Sequence, residues 1–282
     1  RVPVQLHRQD DVLIHIQDGN KVIVLKDKAD VAAAEDSKLF IVHFRQFFVP
    51  DIIINCSGMT DISSCEENPS QAFKVNALGA RNLAIVAAKM QAKMVQLSTD
   101  DVFDGKSTEP YTEFDITNPG TVYGKSKLAG ENYVKEFTTK HFIVRSTWVY
   151  GKGQNFINGF LKKVDAGEQL SIASDQFGSP TSANELARFL LHLVHTSEYG
   201  TYHATNKGVC SRYAFAQEIL KMTGKTASMQ PVPTVMSDFS KVRPAYAVLD
   251  NFIMSMVPIY DFPDWQDSLR EYLEERGLYH AE

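Results

Sequence analysis

Cysteine is scarce in this chain: Cys56, Cys65 and Cys210, in no CxxC spacing, are the only three. An odd number so placed excludes a disulfide framework and a zinc site, and it fits a reducing, cytoplasmic setting. No metal is expected. Basic blocks are missing as well, and the net charge is −5, which excludes nucleic acid as the default partner. No apolar run approaches the roughly 20 residues that cross a bilayer. The first residues carry no signal-peptide pattern, so no membrane association is expected. Repeats and low-complexity tracts are absent. Glycine is missing where it would matter most: residues 1–30 hold only Gly19.

What is present is enough apolar residue, 44 % of 282, for a sizeable core in one large domain or two modest ones. DIIINCSG (51–58), AKMVQLST (92–99) and HFIVRSTWVY (141–150) are short apolar runs closed by polar residues. That is the pattern of strands buried on both faces of a parallel sheet. Between them, SKLFIVHFRQFF (37–48), PSQAFKVNALGARNLAIVAAKM (69–90) and TVYGKSKLAGENYVKEFTTK (121–140) read as helices. Phe73, Ala77, Ala80 and Ala84 stand at helical spacing in the second. The alternation predicts an α/β fold, a Rossmann-like doubly wound parallel sheet. After residue 150 the pattern loosens into turn-rich pieces and amphipathic helices, which predicts a smaller, mostly helical substrate lobe. The expected division is 1–150 for the dinucleotide-binding domain and 151–282 for the lobe, interleaved across a soft boundary.

In such sheets a ligand sits beyond the carboxyl ends of the strands. Three ends here are polar: Asn55 with Ser57, Ser98 with Thr99, and Ser146 with Thr147. Downstream, Tyr123 and Lys127 stand four apart, on one face of a helix. A free tyrosine, with a pKa of about 10, exchanges protons poorly near neutrality. A nearby ammonium favours the phenolate and lowers that value. Such a tyrosine can hand a proton to a carbonyl oxygen while hydride reaches the carbon. Thr99 can bond the same oxygen, and Lys127 can bond the ribose hydroxyls of a nicotinamide nucleotide. Tyrosine and lysine four apart also occur in many helices that do no chemistry. The polar strand end before this pair favours the catalytic reading.

Several motifs between about Asp51 and about Glu275 carry a resemblance: STDDVFDG, NPGTVYGKSKLAGE, IVRSTWVYGKGQNF, DQFGSPTS, GTYHATNKGVCSRYAFAQEI and VRPAYAVLD. In this order they resemble the dTDP-4-dehydrorhamnose reductase family, within the extended short-chain dehydrogenase/reductases. The resemblance implies reduction of the 4-keto group of a dTDP-6-deoxyhexulose, in dTDP-L-rhamnose biosynthesis, with NADPH or NADH as cofactor. It implies a dTDP-sugar as partner and allows a homodimer. The catalytic triad falls on Thr99, Tyr123 and Lys127. Cys56, Ser57, Asn76 and Ser98 join Tyr123 and Lys127 as cofactor-binding residues. Asp101, Phe103, Trp148, Asn155 and Arg243 fall in the substrate site, where a guanidinium suits a diphosphate. Structural roles compete at three of these: a helix-to-strand hydrogen bond for Asn76, a core anchor for Trp148, and a surface ion pair for Arg243.

Two departures from the family pattern matter. The family reads S-T-D-Y-V-F, and here Asp101 replaces the tyrosine, either placing a negative charge near an anionic nucleotide sugar or turning outward. The family also opens with a strand, a G-x-x-G-x-x-G turn and a helix, which bring a pyrophosphate to backbone N–H groups. Residues 1–27 fit a strand RVPVQL, a helix QDDVLIHIQDG and a strand KVIVLKD. They also fit a hairpin, VLIHI-QDGN-KVIVL, which the β-branched runs around Asp-Gly favour. On either reading the N-terminal βαβ unit is degenerate, and weak dinucleotide binding is expected. The competing function is a homologue without turnover that serves as a binding or regulatory subunit.

Overall fold

The computed structural model describes residues 12–17, 20–25, 49–236 and 244–280. The chain divides into two compact units. One takes in Arg1–Val102, Pro119–Arg145 and Val194–Tyr202; the other takes in Phe103–Asn118, Ser146–Leu193 and His203–Glu282.

The first unit is built on a six-stranded sheet. Strands β1 (Val12–Gln17) and β2 (Asn20–Leu25) pair antiparallel, with Val12 opposite Leu25 and Gln17 opposite Asn20. Only Asp18 and Gly19 lie between them, the length and chemistry of a tight hairpin link. The hairpin therefore stands, and a helix over QDDVLIHIQDG does not, because Val12–Gln17 is strand. RVPVQL and the helix expected over SKLFIVHFRQFF lie outside the described residues. β2 runs parallel to β3 (Ile52–Asn55), and β3 runs parallel to β4 (Lys93–Thr99). The sheet continues through β5 (His141–Ser146) to a last strand, Gly200–His203. All four residues of β3 are buried, as a strand inside a parallel sheet requires.

The helices of this unit are α1 (Ile62–Glu67), α2 (Pro69–Phe73), α3 (Gly79–Met90) and α4 (Val122–Phe137). A π-helical turn, Lys74–Leu78, joins α2 to α3. Ala80, Ala84 and Ala87 of α3 and Val134 of α4 pack against Ile53, Met94 and Ile143 of the three central strands. Small side chains let α3 lie close to the sheet. Phe73, expected on the same helical face as Ala77, Ala80 and Ala84, is 39 % exposed. The π turn, which holds Ala77, lies between it and Ala80 and Ala84 and shifts the register of the apolar stripe. Parallel central strands with helices packed on them make this a Rossmann-like α/β sheet.

The second unit holds α5 (Phe156–Asp165), α6 (Ala183–His195), α7 (Arg212–Thr223), α8 (Phe252–Met256) and α9 (Trp265–Glu275). The last residues of α6 fall in the first unit. Short strand pairs accompany the helices, such as Leu170–Ala173 alongside Met229–Val232. Its core joins Phe160, Leu170, Ile172, Phe215, Ile219, Trp265 and Leu269.

Candidate active site

Asn55, the last residue of β3, lies opposite Gln96 in the ladder, and its Nδ2 donates to Gln96 Oε1 at 2.7 Å. Its Oδ1 then accepts from Ser57 N at 3.1 Å and from Ser57 Oγ at 2.6 Å. Both groups of a buried amide are thereby satisfied, and the chain leaving the strand, with Cys56 half-buried in it, is held in one shape. Asn76, in the π turn, fastens the next part of that loop. Its Oδ1 accepts from Met59 N at 2.8 Å, and its Nδ2 donates to Met59 O and to Ser126 Oγ, each at 2.9 Å. The carboxamide thus ties the loop after β3 to α4. A Cβ on Gly58 would stand 3.2 Å from Asn76 Oδ1 and 3.8 Å from Lys127 Nζ.

Helix α4 begins under two caps. Thr121 Oγ1 accepts from Gly124 N at 2.9 Å, and Glu66 Oε1 accepts from Val122 N at 2.8 Å, which satisfies amides that a helix start leaves orphaned. Position 124 admits only glycine at this spacing, since a Cβ there would come within 2.0 Å of Asp101 O. The first turn of α4 therefore rests directly on the 3-10 turn Asp100–Val102 that follows β4. Tyr123 is buried among Met59, Ile62, Cys65, Ala72 and Val75.

One turn further on, Lys127 is 6 % exposed, and its Nζ donates to Leu97 O at 2.7 Å. Burial pulls its pKa down to about 8, against the opposing pull of Glu131 and Cys56. Thr99, the last residue of β4, is buried; its Oγ1 donates to Asp100 Oδ1 at 3.0 Å and accepts from Asp101 N at 3.2 Å. Ser98 points its Oγ at Glu131 Oε1, 2.5 Å away. The candidate catalytic and cofactor residues, Cys56, Ser57, Asn76, Ser98, Thr99, Tyr123 and Lys127, thus all belong to one unit and gather at the ends of β3 and β4. Asp101 belongs to the same unit and does not turn outward, being 1 % exposed.

The other substrate candidates that the structure describes lie in the second unit. Phe103 is buried, stacked on Tyr111 at 4.3 Å between ring centroids and edge-on to His203. Trp148 takes a left-handed φ of 46°, uncommon for a bulky residue. Its ring lies so close to Gly178 that a Cβ there would meet it at 2.6 Å, and the guanidinium of Arg212 sits 3.5 Å from its centroid. Asn155 caps α5: its Oδ1 accepts from Asn158 N at 3.0 Å and its Nδ2 donates to Gly151 O at 2.6 Å. Arg243 lies outside the described residues.

Three residues of the site were not singled out from the sequence. Glu131 is wholly buried, and Arg145 of β5 grips it with Nε at 2.9 Å and Nη2 at 2.7 Å. Gly124 sets the seat of the helix. The signal for Glu131 stood in YGKSKLAGE, four residues after Lys127, and the signal for Arg145 was a charge inside the apolar run HFIVRS.

The chain matches the family model of the RmlD substrate binding domain over residues 12–277. It is 37 % identical over 262 residues to the spore coat polysaccharide biosynthesis protein SpsK of Bacillus subtilis, covering 93 % of this chain and 91 % of that protein. It is 33 % identical over 238 residues to dTDP-4-dehydrorhamnose reductase of Escherichia coli, covering 80 % of each. The crystal structure of a dTDP-4-dehydrorhamnose reductase from Clostridium acetobutylicum matches with a TM-score of 0.82 at 36 % identity, over 90 % of this chain and 99 % of that one. The dTDP-4-dehydrorhamnose reductase of Bacillus anthracis, in complex with NADP, also gives 0.82 at 36 % identity, over 87 % and 86 %. The match spans every candidate residue named above, and the chain belongs to the dTDP-4-dehydrorhamnose reductase family.

Proposed function

We propose that the protein is an oxidoreductase that reduces the 4-keto group of a dTDP-linked 6-deoxyhexulose, with NADPH or NADH as reductant. The observation that carries this reading is the buried, titratable Lys127 on the same helix face as Tyr123, with its Nζ bonded to the backbone two residues before Thr99. Tyr123 Oη is the proton donor to the sugar's carbonyl oxygen, and Thr99 Oγ1 orients that oxygen. Lys127 places a positive charge beside the tyrosine, favouring the phenolate left when the proton has gone. When bound, the nicotinamide supplies hydride. The ribose end of the cofactor fits the residues present: Lys127, Ser57 and the glycine at position 58 leave room beside an ammonium donor.

The pyrophosphate end fits poorly. In a doubly wound sheet the phosphate-binding turn follows the strand paired with the first strand beyond the switch point. β2 stands in that place, paired to β3. The residues leaving β2 read KDKADV, and no glycine occurs between Gly19 and Gly58. Backbone N–H groups at a glycine turn normally supply the anion site. Dinucleotide affinity is therefore expected in the range of about 0.1–1 mM, about 4–5.5 kcal/mol.

The test is to mix the protein with dTDP-6-deoxy-L-lyxo-4-hexulose and NADPH and follow nicotinamide absorbance. Consumption of NADPH with formation of a dTDP-6-deoxyhexose supports the reading. A folded protein that consumes none, and binds no NADPH even at several millimolar, supports the binding-subunit alternative instead.

A further inference from the structure

One helical turn beyond Lys127 on α4, and touching the end of β4 through Ser98, lies a charge cluster that the proton transfer does not itself use. Glu131 is 0 % exposed and Arg145 is 3 % exposed. Glu131 Oε1 accepts from Arg145 Nε at 2.9 Å and from Ser98 Oγ at 2.5 Å; Oε2 accepts from Arg145 Nη2 at 2.7 Å, with Lys135 Nζ 3.9 Å away. The carboxylate is thus held from β4, from β5 and from its own helix. A buried bidentate pair of this kind loses hydration that its Coulomb energy does not always recover, so it is a poor device for stability alone. Its place is informative: Glu131 is one helical turn after Lys127, on the same face, and Ser98 follows Leu97, whose carbonyl receives Lys127 Nζ.

We propose that Glu131, clamped by Arg145 and Ser98, is a positioning residue whose carboxylate keeps the Lys127 ammonium protonated and aimed at the end of β4. The proposal rests on the reductase reading for what Lys127 does in turnover, but not for the charge coupling itself. Around Lys127 the groups to consider are few. On α4 they are Glu131 and Tyr123; on the loop after β3, the Cys56 thiol; on and after β4, the Leu97 carbonyl and the carboxyls of Asp100 and Asp101; on β5, Arg145; in the π turn, the neutral amide of Asn76. Burial lowers the lysine's pKa, and Glu131 is the larger of the two influences that raise it. Arg145 limits that influence by neutralising part of the carboxylate. The clamp therefore sets how much of the Glu131 charge reaches Lys127.

A purely structural clamp and a charge-setting clamp differ in one measurable way. Glu131→Gln and Arg145→Met break the same ion pair, so a structural role gives them the same consequence. Under the proposal they move Lys127 in opposite directions. The measurement is the NMR titration of ε-13C-labelled lysine in the ligand-free protein, with the Lys127 signal assigned by its loss in Lys127→Met. The unmodified chain should titrate with a midpoint of about 8. Glu131→Gln should lower the midpoint by about one unit or more, and Arg145→Met should raise it. Shifts of the same sign, or no shift in either, would overturn the proposal. Should a single variant fail to fold, the double variant Glu131→Gln with Arg145→Met leaves no unpaired charge. Its midpoint must still fall below the wild type's, since Glu131 is the attractive partner on the lysine's own helix; an unchanged midpoint overturns the proposal. Opposite shifts in a protein that reduces no dTDP-hexulose would support the coupling and sink the reductase reading. A working reductase with no shifts would do the reverse. In an active protein, the alkaline limb of kcat should follow the NMR midpoints, variant by variant.

Discussion

Asn76 and Asn155 are both asparagines whose amides are fully engaged, and they teach different things about the two units. Asn76 bonds a loop to a helix, tying the Met59 backbone to the Ser126 hydroxyl one residue before Lys127. Asn155 bonds the turn it starts from, the helix it caps and, through Nδ2 at 3.4 Å, the hydroxyl of Tyr272 on α9, none of which carries a charge. The same contrast holds for the rest. In the first unit the polar residues brought together are Ser57, Ser98, Thr99, Tyr123 and Lys127, around a lysine that burial has made half-deprotonated near pH 8. In the second, the Phe103 ring stacks on Tyr111 and the Trp148 ring lies against Gly178 and under the Arg212 guanidinium. The first unit's candidates thus gather around one titratable group, whereas the described candidates of the second unit are held by packing and helix capping.

The comparison can be broken most forcefully at Lys127. Its pKa in the folded chain is about 8, against 10.5 for a free lysine. Below the lower value both states hold the proton, and the cost of burying the charge is fully present. Between the two values the unfolded state binds more protons, so stability rises with pH. Lys127→Met should abolish turnover and yet stabilise the fold by about 3 kcal/mol at neutral pH. In urea unfolding that advantage should fade as pH rises from about 8 to about 10.5. A destabilised variant would mean that Lys127 holds the fold together rather than straining it.

Tyr123→Phe comes next. It should lower kcat at least about a hundredfold, or about 2.7 kcal/mol, with little change in KM. Unchanged turnover would remove Tyr123 as proton donor. Gly124→Ala should cost about 2 kcal/mol of stability by overpacking, since its Cβ must push the Asp101 carbonyl away. Thermal unfolding measures that loss, and a fall in kcat should accompany it as the tyrosine and lysine shift with the helix. The smallest effect sharpens the contrast from the other side. Asn155→Ala should cost about 1 kcal/mol for a lost helix cap, with KM for the nucleotide sugar unchanged. A KM that rises tenfold would show that the cap also touches substrate.

Much of this was readable in the sequence, for identifiable reasons. β3, β4 and β5 are short apolar runs with polar ends, too short for a buried helix and of the length of strands buried on both faces. The Asp-Gly link gave away the hairpin because two residues cannot join strands otherwise. Tyr123 and Lys127 were visible because their spacing is local. Glu131 and Arg145 were not, since a charge in a helix or strand is ordinarily a solvated one, and only the packing of α4 on the sheet brings together residues 14 apart in sequence. Phe73 was misplaced because a periodic pattern carries no mark of the turn at which its period changes.

That turn, Lys74–Leu78, has an evolutionary corollary. Removing one residue from an α-helix ordinarily rotates all that follows by about 100°, which would carry the alanines of α3 off the sheet. A π turn already holds one residue in surplus. A single-codon deletion there would close the ladder into plain α-helix, leave both flanks facing as they do now, and swing the Asn76 carboxamide away from Met59 and Ser126. The hold on the loop after β3 is therefore a feature that a lineage can gain or lose in one indel, without redesigning the helix that carries it.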